Sequence, residues 1–327
     1  MAAARNFRIG SALARPGKRV EGELVLGHYP DAPIATKVTI VSGTRPGPVL
    51  WVQGCIHGPE VGGVVAMLRL LERLDPRRMR GSIACIMLAN PTAFRGYSRN
   101  TPVDTTNLNR VFPGAADGTH SQQNAHVLIE TAASVADAVL DLHSGGDRSR
   151  VPYYGLYWAE NSDASREAGR LARACGTRDI WASIDDWLGG AMFTVLTKRG
   201  IPSLIVECGG GGQVPEAHVA NFVAAMTGVA QSMGILPGRP KRFARYRVFD
   251  ESALIYSRKG GLFRPLVEPG DIVEKGHVLG EIVDLSGKVV ERPRASIGPS
   301  YIASIRRPWM PVYSGDQIAE CNRVIAS

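Results

Sequence analysis

The chain has 327 residues, 44% of them hydrophobic and 21% charged, a globular balance that excludes a disordered protein and leaves room for more than one core. Its net charge of +8 comes from dispersed Lys and Arg with only short clusters, at residues 77–80 and 241–247, which argues against nucleic-acid binding and suits small anionic substrates. The five cysteines are scattered and never spaced as CxxC, which excludes a disulfide framework or a thiolate zinc ribbon. With no signal-like or membrane-length apolar run, a cytoplasmic protein without a membrane partner is the expectation.

In chain order, the strand-like runs RVEGELVLG and ATKVTIVSG come first, and nothing local says whether residues 1–45 join a central sheet or pack elsewhere. PVLWVQGCI (48–56) and SIACIMLAN (82–90) are continuous apolar runs of the kind that form strands covered on both faces. Between them Val61, Val64, Val65, Leu68 and Leu71 recur at helical spacing, with Pro59 suited to the first helical turn. The alternation then returns as a helix from about Gln122, a strand at DAVLDLH (137–143), a strand near YYGLYWA and a helix around 165–174. A strand at PSLIVE (202–207) and a long helix over about 215–233 follow. The pattern predicts an α/β fold with a mixed, largely parallel sheet flanked by helices.

The Pro-, Gly- and basic-rich segment GILPGRPKR (234–242) marks a boundary, giving an α/β domain over 1–240 and a small all-β C-terminal domain over 241–327. The texture of roughly 254–316 resembles the barrel-sandwich fold of lipoyl and biotinyl carriers. Asp284, Leu285, Ser286 and Gly287 occupy the hairpin where such carriers hold a modified lysine, so a wall that covers the active-site cleft is expected rather than a covalent carrier.

Open α/β sheets gather their sites at the carboxyl ends of strands. Here the apolar runs end at His57 and Glu60, at Asn90, at His143 followed by SGG, and at Glu207 followed by CGGGG. His57 and Glu60, three residues apart, are expected to share one face of a helical turn. With His143 they make two imidazoles and one carboxylate, a set that leaves zinc's fourth position open. Glu207 reads as a general base for an activated water, or else as a buried carboxylate held by the amides of the glycines behind it. In NLNR, Asn109 and Arg110 offer amide donors and a planar guanidinium that can grip a carboxylate. His28, His126, His218 and His277 read as surface or satisfied histidines and His120 is open, while Cys55 and Cys208 read as buried thiols rather than nucleophiles.

The ordered set His57-Gly58-Pro59-Glu60, NLNRVFPG (107–114), DLHSGG (141–146) and the strand-terminal Glu207 resembles the succinylglutamate desuccinylase and aspartoacylase family, relatives of zinc carboxypeptidases. The likeness spans about 48–212 together with the C-terminal β domain that the family also carries. It implies one zinc ion per chain on His57, Glu60 and His143, with Glu207 promoting attack of water on an amide. It also implies that Asn109 and Arg110 hold the substrate carboxylate, and that an arginine in GYSRNTPVD, Arg99 or its neighbour Arg95, polarises the carbonyl.

Pro59 departs from the polar residue common at its position, and the substrate-side regions, 153–190 and the C-terminal domain, match no pattern. The expectation is a zinc-dependent amidohydrolase that removes a small acyl group from an N-acyl amino acid. Its substrates would be drawn from N-acetyl-diaminobutyrate, N-acetylaspartate and N-succinylglutamate, and the long NLNRVFPG variant resembles the deacetylases of ectoine breakdown. A metallocarboxypeptidase acting on peptides shares the same motifs, and a non-catalytic metal-containing binding protein is the third reading. Assembly as a homo-oligomer is compatible with the sequence.

Overall fold

The computed structural model describes residues 6–326. Two short paired strands, β1 (Arg8–Ile9) and β2 (Ala12–Leu13), precede β3 (Arg19–His28), β4 (Pro33–Ser42) and β5 (Arg45–Gly54). Then come α1 (Gly62–Leu71), β6 (Arg80–Ile86), α2 (Pro91–Arg95), α3 (His120–Val135), β7 (Ala138–His143) and β8 (Ser149–Trp158). The α/β part continues through α4 (Asp163–Ala172), β9 (Asp179–Ser183), α5 (Met192–Lys198), β10 (Ser203–Gly210) and α6 (Glu216–Ser232). The remainder is built of strands: β11 (Arg247–Tyr256), β12 (Gly261–Pro265), β13 (Ile272–Val273), β14 (Gly280–Val283), β15 (Val289–Glu291), β16 (Ser300–Arg306), β17 (Met310–Val312) and β18 (Gln317–Ala326).

A 12-stranded sheet runs in the order β13-β16-β18-β11-β9-β8-β10-β7-β5-β6-β4-β3. Its middle, β10-β7-β5-β6, is parallel, as are the pairs β8-β9 and β9-β11. The pairs β8-β10, β4-β6, β3-β4, β11-β18, β16-β18 and β13-β16 are antiparallel. The sheet is therefore mixed, and the expectation of a largely parallel one is corrected. Helical crossovers join the parallel strands, whereas short returns reverse the chain. One such return lies between β7 and β8, and β10 inserts between those two strands. The early runs settle on the central sheet as its far edge, with β4 against β6.

Strands beyond residue 240 extend the same sheet, because β11 pairs with β9 from Arg247 opposite Asp179 and β16 also meets β8 at Ile305 opposite Arg150. Arg247 grips both carboxylate oxygens of Asp179 at 2.7 Å, and Tyr301 Oη donates to the same carboxylate at 3.0 Å. A two-pronged pair of this kind fixes orientation as well as distance. Only β15-β14-β12-β17 form a separate four-stranded sheet.

Alternation along β5 explains the two cores. Leu50 and Val52 face one side, with α1 and α6, while Val49 and Trp51 face the other, with α3. Helix α1 buries Ala66, Met67, Leu70 and Leu71, and it starts at Gly62, so Pro59 and Glu60 precede it instead of forming its first turn. Strand β9 and helix α5 are additional to the sequence expectation. Among the described residues no helix is long and apolar enough to cross a membrane.

Candidate metal centre and cleft

After β5 the backbone turns sharply. Cys55 adopts a left-handed φ of 53°, uncommon for a residue with a side chain, and its buried thiol points at the Glu60 carbonyl 3.5 Å away. Gly58 runs against α2 so closely that a Cβ there would stand 2.0 Å from the Ala93 carbonyl oxygen, and its N–H donates to Ser98 O at 2.9 Å. The Glu60 N–H donates back to His57 O at 3.2 Å. His57 and Glu60 thus converge from a tight strand-to-helix turn, not from one face of a helix as their spacing suggested.

The third group arrives at the end of β7. His57 Nδ1 lies 2.9 Å from Glu60 Oε1, and His143 Nδ1 lies 3.0 Å from Glu60 Oε2. All three residues are buried, each offering a ligand atom within 4.8 Å of the others. Their far nitrogens are held from behind: His57 Nε2 is 3.1 Å from Asn107 Oδ1 and His143 Nε2 is 3.0 Å from Asp141 Oδ2. Asn107 Oδ1 also accepts the Asn109 N–H at 3.0 Å, which identifies that atom as the acceptor oxygen. With an acceptor oxygen near each Nε2, a cation at the centre would leave the imidazole proton on Nε2 and turn the Nδ1 lone pair inward. Two inward lone pairs and a carboxylate fit a zinc ion.

Charge in the cluster is finely opposed. Burial, with Arg99 adding to it, lowers His57 to about 4, so this ring is neutral near pH 7. Burial works against protonation of His143 too, but the carboxylates of Asp141 and Glu60 outweigh it and raise its pKa well above the ordinary imidazole value. Burial would raise Glu60, yet His57 and His143 hold it below the usual carboxylate range. A cation at the centre would take over the role that the His143 proton plays beside these carboxylates.

Glu207 stands next to His143 in register on β10, and Tyr154 of β8 is its partner on the other side. The three therefore lie in one row on one face of the sheet. Glu207 is only half-buried overall, but its Oε2 is enclosed without a hydrogen-bond partner among the described residues. Burial pushes the carboxyl up to about 8, with His143 opposing the rise and Glu60 adding to it.

A cleft of about 190 Å³ opens over this row, with His57, Glu60, Arg99, Arg110, Tyr154, Trp187 and Glu207 in its lining. Its opposite wall comes from the last strands through Ser304, Arg306, Gln317 and Glu320. A larger hollow of about 540 Å³ between α1 and α6 contains none of these groups. Arg99 reaches the cleft, with Nη1 3.5 Å from Glu60 Oε1. Arg95 turns away and stacks over Tyr29, 5.5 Å from the ring centre.

Arg110 lies against Trp187, 4.8 Å from its ring, and donates through Nη1 to Asn109 O at 2.6 Å. Burial, helped by the charge of Arg99, lowers it to about 10. Asn109 does not line the cleft: it is buried, and its Oδ1 accepts the Met192 N–H at 3.1 Å. The structure brings Arg110 into the cleft lining and leaves Asn109 behind it, with the Asn109 oxygen engaged in fixing the start of α5. Asn107, two residues earlier, is the asparagine that faces His57 of the cluster.

Asn90 caps α2, its Oδ1 accepting the Ala93 N–H at 3.2 Å. Burial raises the thiols of Cys55 and Cys208, the latter to about 11, as expected of structural cysteines. Tyr154, Trp187, Asp185 and Glu320 were missed by sequence reasoning. The one local signal was a carboxylate inside the apolar run QIAEC (317–321).

The architecture is that of an α/β protein with a His-Glu-His cluster at the carboxyl ends of its central strands. The chain belongs to the succinylglutamate desuccinylase/aspartoacylase catalytic domain family, whose model matches residues 46–233. A relative from Halomonas elongata, N-alpha-acetyl-L-2,4-diaminobutyric acid deacetylase, is 27% identical over 298 residues, covering 89% of this chain and 86% of the relative. The product-bound ectoine utilization protein EutE (DoeB) from Ruegeria pomeroyi superposes with a TM-score of 0.86 at 25% identity, over 96% of this chain and 98% of that one. The succinylglutamate desuccinylase/aspartoacylase structure from Rhodobacter sphaeroides does so with a TM-score of 0.81 at 25% identity, over 94% of each chain.

Proposed function

We propose that the protein is a zinc-dependent hydrolase that removes a small acyl group from an N-acyl amino acid. The observation that carries this reading is the convergence of His57, Glu60 and His143 beside a Glu207 held in register with His143. When bound, zinc would supply a Lewis acid that polarises the amide carbonyl and makes water a stronger acid. Glu207 then takes a proton from the attacking water and returns it to the departing amine, the charge of a bound cation lowering its carboxyl from about 8 toward the ionised form that a base needs. Arg99, beside Glu60, faces the oxygen on which charge develops.

Arg110 binds the substrate carboxylate, its plane set by Trp187 and Asn109. Asn107 and Asp141 orient the two imidazoles. The small cleft, closed by the C-terminal strands, suits a small amide better than a peptide. The family membership and the name of the Halomonas elongata relative support the deacylase reading and place N-alpha-acetyl-L-2,4-diaminobutyrate first among substrates to try.

The test is amine release by the zinc-loaded protein across N-acetyl and N-succinyl amino acids and short peptides, with Glu207→Gln as the comparison. Turnover of an N-acyl amino acid that falls by about 10²-fold or more in the variant is expected. Zinc-bound protein that is inactive on every N-acyl amino acid would overturn the reading.

A further inference from the structure

Of the charged cleft groups that the proposed chemistry leaves unused, Asp147 and Arg148 reach solvent and Arg306 donates to Gln317 O at 2.7 Å, which leaves Glu320. Glu320 projects from β18 into the wall opposite the metal cluster, is 7% exposed, and has an Oε1 without a hydrogen-bond partner among the described residues. A buried carboxylate without a partner is costly and calls for a cation. The neighbouring carboxylate does not share this condition, since Asp185 accepts from Ser183 Oγ at 3.0 Å, from the Ser252 N–H at 2.9 Å and from Ser252 Oγ at 3.0 Å. The nearby cations are also engaged, Arg110 between Trp187 and Asn109 O and Arg99 beside Glu60. Burial and the charge of Asp185 push the Glu320 carboxyl up to about 8, against the pull of Arg110 and Arg99.

We infer that Glu320 is a specificity residue that receives a positively charged side chain of the substrate, so that the cleft selects N-acyl derivatives of diamino acids. This rests on the deacylase reading of the cleft. Arg110 supplies a fixed cation and Glu320 a carboxyl that an arriving ammonium would draw into its charged form, so one small cavity is complementary to an amino acid that presents a carboxylate and a side-chain ammonium together. A substrate whose side chain ends in a methyl group leaves the Glu320 carboxylate unpaired, and a site built for a polar group penalises that strongly.

The experiment is calorimetric titration of the zinc-loaded full chain with L-2,4-diaminobutyrate and with L-2-aminobutyrate, which lacks only the terminal ammonium, for the wild type and Glu320→Gln. The wild type should prefer the diamino acid by about 30-fold, and the preference should fall below about 3-fold in the variant. A wild-type ratio near one, or no detectable binding of either ligand, overturns the inference without reliance on the variant. A ratio that Glu320→Gln leaves intact, with both ligands weakened alike, overturns it by making Glu320 a structural group. If the binding preference holds while no N-acyl derivative of either amino acid is hydrolysed, the deacylase reading fails and the role of Glu320 stands.

Discussion

His143, the last residue of β7, and Glu207 of β10 are register partners on two adjacent parallel strands. Their separation is therefore set by the backbone ladder of β7 and β10 rather than by side-chain packing alone. The proposed third ligand and the proposed base are placed together but tasked differently, and substitutions should separate them. His143→Ala should reduce zinc after desalting from about one ion per chain to nearly none, while Glu207→Gln should keep it. Atomic absorption on the two variants decides this, and full zinc retention by His143→Ala would remove that residue from the ligand set.

The acceptors behind the imidazoles give a subtler expectation. Asp141→Asn replaces a charged partner of His143 Nε2 by a neutral one, and Asn107→Ala removes the partner of His57 Nε2. Each should weaken zinc binding by about 10- to 100-fold without unfolding the chain. Competition against a chromophoric chelator measures it, and affinities equal to wild type would show that the inner ligands need no support from behind.

Arg99 and Arg95 are indistinguishable in GYSRNTPVD's neighbourhood but separated in space. Arg99→Ala should lower kcat/KM by about 10²-fold, whereas Arg95→Ala, which removes only a stacking contact with Tyr29, should change it by less than about 2-fold. Equal losses in the two variants would cancel the assignment.

Glu320 also makes a prediction about stability. Burial, reinforced by Asp185, raises its carboxyl from the ordinary 4.5 to about 8, so between these values the folded chain keeps a proton that the unfolded chain has released. The corresponding stability is fully present below about pH 4.5 and is lost as pH rises through about 8. Glu320→Gln has no such proton, so its stability relative to wild type should improve from about pH 5 to about pH 9, by on the order of a few kcal/mol at most. Urea denaturation of ligand-free protein at several pH values reads this, and a gap that does not vary with pH would return the carboxyl to ordinary behaviour.

Much of the frame is legible in the chain because β5, β7 and β10 are uninterrupted apolar runs, and the polar residue ending each one marks the site edge. His57, Glu60, His143 and Glu207 are found that way. The turn that aims His57 and Glu60 is not, since it depends on Gly58 meeting Ala93, thirty-five positions away in the sequence. Asn107 and Asn109 look interchangeable until the fold sends one toward His57 and the other toward Met192. Local periodicity also says nothing of strand order, so the insertion of β10 between β7 and β8 and the share of antiparallel pairs escape it. The far wall of the cleft is harder still, because Glu320 reaches it from a strand with no motif of its own.

That far wall belongs to strands which follow the α/β region in the chain yet hydrogen-bond directly onto its sheet. The proposed reacting centre and the wall proposed to select its substrate thus come from separate stretches of sequence joined by one hydrogen-bonded sheet. A lineage can revise its diet through the last twenty-odd residues while its cutting tool stays untouched, and grafting β16 to β18 from a relative of different appetite is the corresponding route for an engineer.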